Sequence, residues 1–212
     1  MSEINQALHQ FTLRYQEVFQ QALGELPRYY CGTAEQTSPC IVGQVQQGIT
    51  HWKPILRHHE DNFLQLAEAL ETSIPQDLES FYTYQFAAPM YFNADFGCGE
   101  LLQCWDQEDF SALQENLIGH VLMKRNLKQR ESFFLAVMDE DETILVMRPD
   151  DTAVYLERVG KAEHKKVAQS LSELLRTIQP VVAPVKGPES IDITHNSAEM
   201  TLWQRLMHAL KR

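Results

Sequence analysis

Phe133-Phe134-Leu135-Ala136-Val137-Met138, Ile144-Leu145-Val146-Met147-Arg148 and Ala153-Val154-Tyr155-Leu156-Glu157-Arg158 are three short runs of apolar, aromatic and β-branched residues. Between them stand Asp139-Glu140-Asp141-Glu142 and Pro149-Asp150-Asp151, which are turn-forming and strongly hydrated. Runs of this length broken by such turns predict a meander of antiparallel strands. Working toward the C-terminus, Val167, Leu171, Leu174, Leu175 and Ile178 recur at helical spacing, and Pro180 stops the pattern. Working toward the N-terminus, Asp106 caps a helix with Asp109 at the capping-box position. Phe110, Leu113, Leu117, Ile118 and Val121 supply its apolar stripe. Helices on both sides of a strand meander predict an α+β fold: a mainly antiparallel sheet flanked by helices.

The rest of the chain fits that class. Ser2 caps a first helix whose stripe is Ile4, Leu8, Phe11, Tyr15, Val18 and Ala22, and Gly24 with Pro27 ends it. A hairpin is expected over 40–45 and 49–52, turning near Gln46-Gln47-Gly48, with Pro54 beyond it. Short helices are expected at 63–70 and after Pro75. Strands are expected at 84–92 and 100–105, joined through the turn-forming segment 93–99. Residues 1–180 read as one domain. Residues 181–212 read as a Pro/Gly-containing linker and a short amphipathic helix with Met200, Trp203, Leu206, Met207 and Leu210 on one side.

Charge divides the chain unevenly. The 212 residues carry 29 acidic and 18 basic side chains, a net charge of -11, and residues 58–123 contain 12 acids and neither Lys nor Arg. The remaining segments are balanced. A surface built from that block repels nucleic acid and anionic lipid and favours basic partners. No run approaches the ~20 apolar residues of a membrane span, and the N-terminus lacks signal-peptide character, so a cytoplasmic protein is expected.

Motifs for chemistry are sparse. Cys31, Cys40, Cys98 and Cys104 match neither a zinc knuckle nor a redox pair and read as reduced structural thiols. His58-His59-Glu60 points its histidines to different sides of any regular element and reads as a solvated turn. Gly97-x-Gly99, between Asp95 and Glu100, is too short and too acidic for a phosphate loop. No enzyme, metal or cofactor is expected. Scattered acids often serve solubility alone, but a stability-driven surface mixes both signs. The candidate partner-binding residues are therefore Glu100, Asp106, Glu108, Asp109, Glu115 and the turn Asp139, Glu140, Asp141, Glu142, with Tyr84 offering an aromatic face to Lys or Arg.

Four segments resemble a known family: Ser38-Pro39-Cys40-Ile41; Phe81-Tyr82-Thr83-Tyr84-Gln85-Phe86; Leu101-Leu102-Gln103-Cys104-Trp105-Asp106-Gln107-Glu108-Asp109-Phe110; and Gln114-Glu115-Asn116-Leu117-Ile118-Gly119-His120. They are similar to Syd, the SecY-interacting protein of bacteria, a distant relative of the SUKH superfamily with its immunity proteins. The resemblance runs from about residue 7 to Pro180, and the tail beyond departs from the family pattern. It implies a SUKH/Syd-like α+β fold and a regulator that checks or sequesters improperly assembled SecY. The implied location is the cytoplasmic side of the cell inner membrane, loosely and peripherally associated, and otherwise the cytoplasm. Basic cytoplasmic loops of SecY complement an acidic groove by the positive-inside rule. The alternative from the same kinship is an immunity-type module binding a basic toxin. Nucleic acid and direct lipid contact by the acidic face are not expected. Residues 197–212 either touch the membrane interface or the partner weakly, or fold back on the core.

Overall fold

The computed structural model describes residues 2–32, 38–57, 61–140 and 142–185. Helix α1, Glu3–Leu23, starts where Ser2 Oγ accepts the Asn5 N–H and ends at Gly24, whose φ of 70° is the left-handed conformation glycine adopts freely. Ile4, Leu8, Phe11 and Tyr15 are buried as their spacing predicts. Phe19 completes the stripe, while Val18 is half-buried and Ala22 exposed.

A small sheet follows, in the order β1-β3-β2, formed by β1 (Arg28–Tyr30), β2 (Ile41–Gln46) and β3 (Ile49–Trp52). Gln47 and Gly48 both have positive φ, which gives the β2–β3 hairpin its tight turn. Strand β1 was not expected, because three residues are too few to show alternation. Strand β4 (Ile55–Leu56) pairs with β5 (Gln85–Phe86), and between them lie helices α2 (Leu64–Leu70) and α3 (Gln76–Thr83). Helix α3 starts after Pro75 and buries Leu78, Phe81 and Tyr82.

The main sheet includes β6 (Met90–Ala94), β7 (Gly97–Leu101), β8 (Phe133–Met138), β9 (Thr143–Met147) and β10 (Val154–Arg158). With β11 (Glu163–Ala168) and β12 (Gln179–Pro180) at its edges, it runs antiparallel in the order β11-β10-β9-β8-β7-β6-β12. Helices α4 (Gln107–Asn126) and α5 (Leu171–Thr177) complete the α+β fold, with α5 against α1. The meander of β8, β9 and β10 stands where its apolar runs predict.

Several boundaries differ from expectation, and the strand expected at 84–92 is split, with Tyr84 closing α3, Gln85–Phe86 pairing with β4 and Met90–Ala94 joining the main sheet. Residues 93–99 are mostly ladder: Ala94 pairs with Gly97, leaving only Asp95 and Phe96 as the turn. Gly97 and Gly99 thus belong to β7 rather than to a turn, and a Cβ on Gly99 would lie 2.6 Å from the Val137 carbonyl oxygen, so close strand packing selects glycine there. Residues 102–105 leave the ladder, though they stay buried. Val167 lies in β11, not in the last helix, which begins after the Ser170 cap. Glu-His-Lys-Lys lacks any apolar alternation because β11 is an edge strand, where lysines discourage pairing with other chains.

Candidate functional site

The site is built at the start of α4 and on the adjoining strands. Asp106 Oδ1 accepts the Asp109 N–H at 2.9 Å, and Asp109 Oδ2 accepts the Trp105 N–H at 3.0 Å. This is a capping box displaced by one residue, and it suits the helix dipole. Trp105 packs against the ring of half-buried Tyr29 at 4.8 Å between centroids. Burial, then the fields of Asp109, Glu100, Cys31 and Asp106, hold the Tyr29 hydroxyl well above its usual range. Glu100, on β7, is the cross-strand neighbour of Tyr91 on β6, and it also bears on the buried Tyr15 hydroxyl. The Tyr91 hydroxyl in turn donates to Asp139 in the β8–β9 turn. Asp139, Glu100, Asp109 and Asp106 are thus linked through Tyr91 and Tyr29 as an acidic stripe.

Other candidates lie outside that stripe or at its rim. Glu108 is exposed in the first turn of α4, one residue from Asp109, whereas Glu115 is exposed two turns further along. Glu140 is exposed, Glu142 pairs with Arg158 at 3.4 Å, and Asp141 lies outside the described residues, as does the 58–60 segment. Tyr84 is edge-on to His9, 6.4 Å away, and accepts the Arg57 N–H through its carbonyl. Glu100 stands across from Tyr91, and its field reaches the Tyr15 and Tyr29 hydroxyls. Tyr29 was absent from the sequence-based candidates because only the three-residue strand β1 carries it to α4, and nothing in sequence announces that contact.

The acidic block also has a base folded into it. Arg57, one residue before the block, places its guanidinium 4.2 Å from the Phe86 ring centroid and 4.1 Å from that of Phe110. It pairs with Asp61 at 2.6 Å and donates to the Tyr82 carbonyl and to Gln107. Asp61 is therefore neutralised, and Glu79 is likewise occupied, accepting the Phe63 N–H at 2.9 Å.

Asp109 is the most perturbed acid of the stripe, raised to about 6 chiefly by burial and then by Asp106 and Glu108, against the Trp105 hydrogen bond. Unfolded, it titrates near 4. Between about pH 4 and 6 the folded chain therefore holds a proton that the unfolded chain has lost, so this group's contribution becomes less favourable as pH rises through that window. Asp109→Asn, which can still accept the Trp105 N–H, should raise stability at pH 7 by on the order of 1–2 kcal/mol. Its advantage should vanish below about pH 4. Urea titrations of both proteins at pH 7 and near pH 4 check this, and a constant difference would contradict it.

The 114–120 run, which contributes to the family resemblance, turns Asn116, Leu117 and His120 inward. His120 is fully buried, and its Nε2 is hydrogen-bonded with Ser132 Oγ at 2.9 Å. Ser132 donates to Glu157 at 2.8 Å, as does Lys124 Nζ. Burial and the Lys124 charge keep His120 neutral down to about 3. These are the residue types of a nucleophilic triad, but Ser132 gives its proton to the carboxylate and the group is sealed from solvent. The network pins α4 to β8 and β10. Ser38 is also structural, donating to the Trp105 carbonyl at 2.5 Å. Cys31, Cys40 and Cys104 are buried, with Cys40 pushed up to about 12 by burial, so they are poor nucleophiles. Among the described residues, no group of three His, Cys, Asp or Glu side chains is placed to hold a metal ion. A groove of about 430 Å³ between α1 and α5 is lined by Leu13, Arg14, Glu17, Leu175 and Arg176, and is not acidic.

The model of the family described as "Syd protein (SUKH-2)" matches residues 5–180. The chain belongs to the Syd family. Protein Syd of Shewanella pealeana is 36% identical over 204 residues, covering 94% of this chain and 93% of that relative. Protein Syd of Shewanella piezotolerans is 38% identical over the same length and shares. Protein Syd of Shewanella frigidimarina is 36% identical over 203 residues. The family model stops at Pro180, where the resemblance also ended, while the match to these Syd proteins over 94% of the chain runs on into residues 181–212. Val181 also donates its N–H to the Tyr91 carbonyl, and Val182 packs on the core. The amphipathic pattern at 197–212 lies outside the described residues. Among the described residues, no helix is long and apolar enough to cross a membrane.

Proposed function

We propose that this Syd-family protein docks its acidic stripe onto the basic cytoplasmic loops of SecY, and thereby checks or sequesters SecY that is improperly assembled. The observation that carries the reading is the line Asp139, Tyr91, Glu100, Tyr29, Asp109 and Asp106, which sets carboxylates beside tyrosine rings. Lys and Arg gain from both, by charge pairing and by contact with an aromatic face. The exposed carboxylates Glu108, Glu115 and Glu140 extend the negative field, which can raise the encounter rate of a basic segment by ~10 to 1,000-fold. Residues 1–180 serve as the binding domain. The action is non-enzymatic, and the protein sits peripherally on the cytoplasmic side of the inner membrane, where those loops are.

Capture of SecY from detergent-solubilised membranes tests this. Changing Asp106, Glu108 and Asp109 together to Lys should lower capture at least about tenfold, and wild-type capture should weaken as salt shortens the Debye length below ~8 Å. Unaltered capture by the variant removes the acidic stripe from the mechanism. Recovery of a soluble basic polypeptide instead of SecY favours the immunity-type reading.

A further inference from the structure

Helix α4 has acids in its first turn, Glu108 and Asp109, and bases in its last, Lys124 and Arg125. The helix dipole favours that polarity within the helix. It does not account for Lys128 and Arg130 beyond the helix, nor for Lys161 in the β10–β11 turn. Gln129 Nε2 donates to the Gly160 carbonyl at 3.1 Å and Lys124 Nζ to the Lys161 carbonyl at 2.9 Å, which brings the two loops together. Other cations at this end are matched: Lys124 by Glu157, Arg125 by Glu131, Arg158 by Glu142. Asp150, which feels Arg130, is already held by Arg148. Lys128, Arg130 and Lys161 are exposed, and among the described residues none of the three forms an ion pair. His164 and Lys165 stand exposed on the adjoining edge strand.

Two large apolar side chains are exposed on the same stretch, Leu122 at 44% and Leu127 at 47%. A solvated basic face has no need of them, and a phosphodiester backbone offers them nothing. Lys128 directly follows Leu127, and exposed cations next to an exposed leucine are the chemistry of an anionic membrane interface, where ammonium and guanidinium groups meet headgroups and short apolar side chains enter the acyl boundary. Lys128 also occupies a left-handed position, φ 54°, just past the helix, where glycine is favoured. The net charge of -11 does not forbid the contact. At 1.5 Å per residue α4 separates its acidic start from this end by about 30 Å, several times the ~8 Å Debye length.

We propose that the basic pole formed by Lys128, Arg130 and Lys161, with Leu122 and Leu127, is a contact surface for anionic phospholipid. It does not depend on what the acidic stripe binds. The full-length chain should float with phosphatidylcholine vesicles containing about 30% phosphatidylglycerol, far less with pure phosphatidylcholine, and less as salt rises. The triple variant Lys128→Gln, Arg130→Gln, Lys161→Gln should lose on the order of 100-fold in partition, at an unchanged melting temperature. Leu122→Ser with Leu127→Ser should also weaken flotation. Lys128→Gly relieves the backbone and so should melt no lower than wild type while binding about fivefold less, which separates lipid contact from folding. Absence of flotation, wild-type flotation by the triple variant, or equal binding to both vesicle types would overturn the proposal. Equal affinity for duplex DNA with no effect of the leucine changes would overturn it in favour of a nucleic-acid surface.

Discussion

Lys124→Met should cost about 3–5 kcal/mol of unfolding free energy at pH 7, among the largest single-residue effects available in this chain. Lys124 and Glu157 are fully buried and 2.8 Å apart, and Lys124 is the cation that faces Glu157. Methionine fills much of the lysine's volume but leaves the carboxylate, among the described residues, with the Ser132 hydroxyl as its hydrogen-bond donor, and leaves the Lys161 carbonyl without its ammonium. Glu157 is already raised by burial, and Lys124 is the main influence drawing it back. Without Lys124 the carboxylate takes a proton more readily, so the deficit should shrink as pH falls toward 5. Adding Glu157→Gln to Lys124→Met should recover a large part of the loss, because no buried charge then lacks a counterion. Urea unfolding of the two single variants and the double variant measures the coupling directly. A cost under about 1 kcal/mol for Lys124→Met would mean that the pair contributes little to holding α4 on the sheet.

Arg57→Ala is expected to lose about 2–4 kcal/mol and to loosen the first turn of α4. The guanidinium fills the gap between Phe86 and Phe110, and its removal takes away donors to Asp61, Tyr82 and Gln107 together. Arg57→Lys keeps the charge but not the planar fork that stacks on two rings, so it should recover less than half of that loss. Hydrogen exchange of the Gln107–Asn126 helix amides reads the local effect. Faster exchange confined to the first turn is expected, whereas uniform acceleration along the helix would mean that Arg57 supports only the global fold. If the first turn does loosen, partner capture should weaken as well, because Asp106 and Asp109 are positioned by that turn.

The stripes of α1 and α4 and the runs of the meander were readable because each buries one face, and a buried face imposes its own period on a continuous stretch. Strands β1 and β12 were not, because two or three residues carry no period and their pairing depends on a distant partner. Strand β11 was obscured by its edge position, where charge rather than alternation is favoured. Among the candidate acids, Asp106 and Asp109 were marked by local capping chemistry. That Glu100 and Asp139 join them through Tyr29 and Tyr91 depends on strand register and on the packing of β1 against α4, both long-range.

By itself the sequence indicated the α+β class and placed the excess of acids over bases in residues 58–123, since net charge and amphipathic period are properties of the chain as written. Only the tertiary structure decided which charges remain outward. It drew Lys124 into the core against Glu157 and Arg57 into the acidic block against Asp61, while leaving Lys128, Arg130 and Lys161 at the surface. A buried charge must find a counterion within a few ångströms, and which residues lie that close is settled by packing between elements distant in the chain.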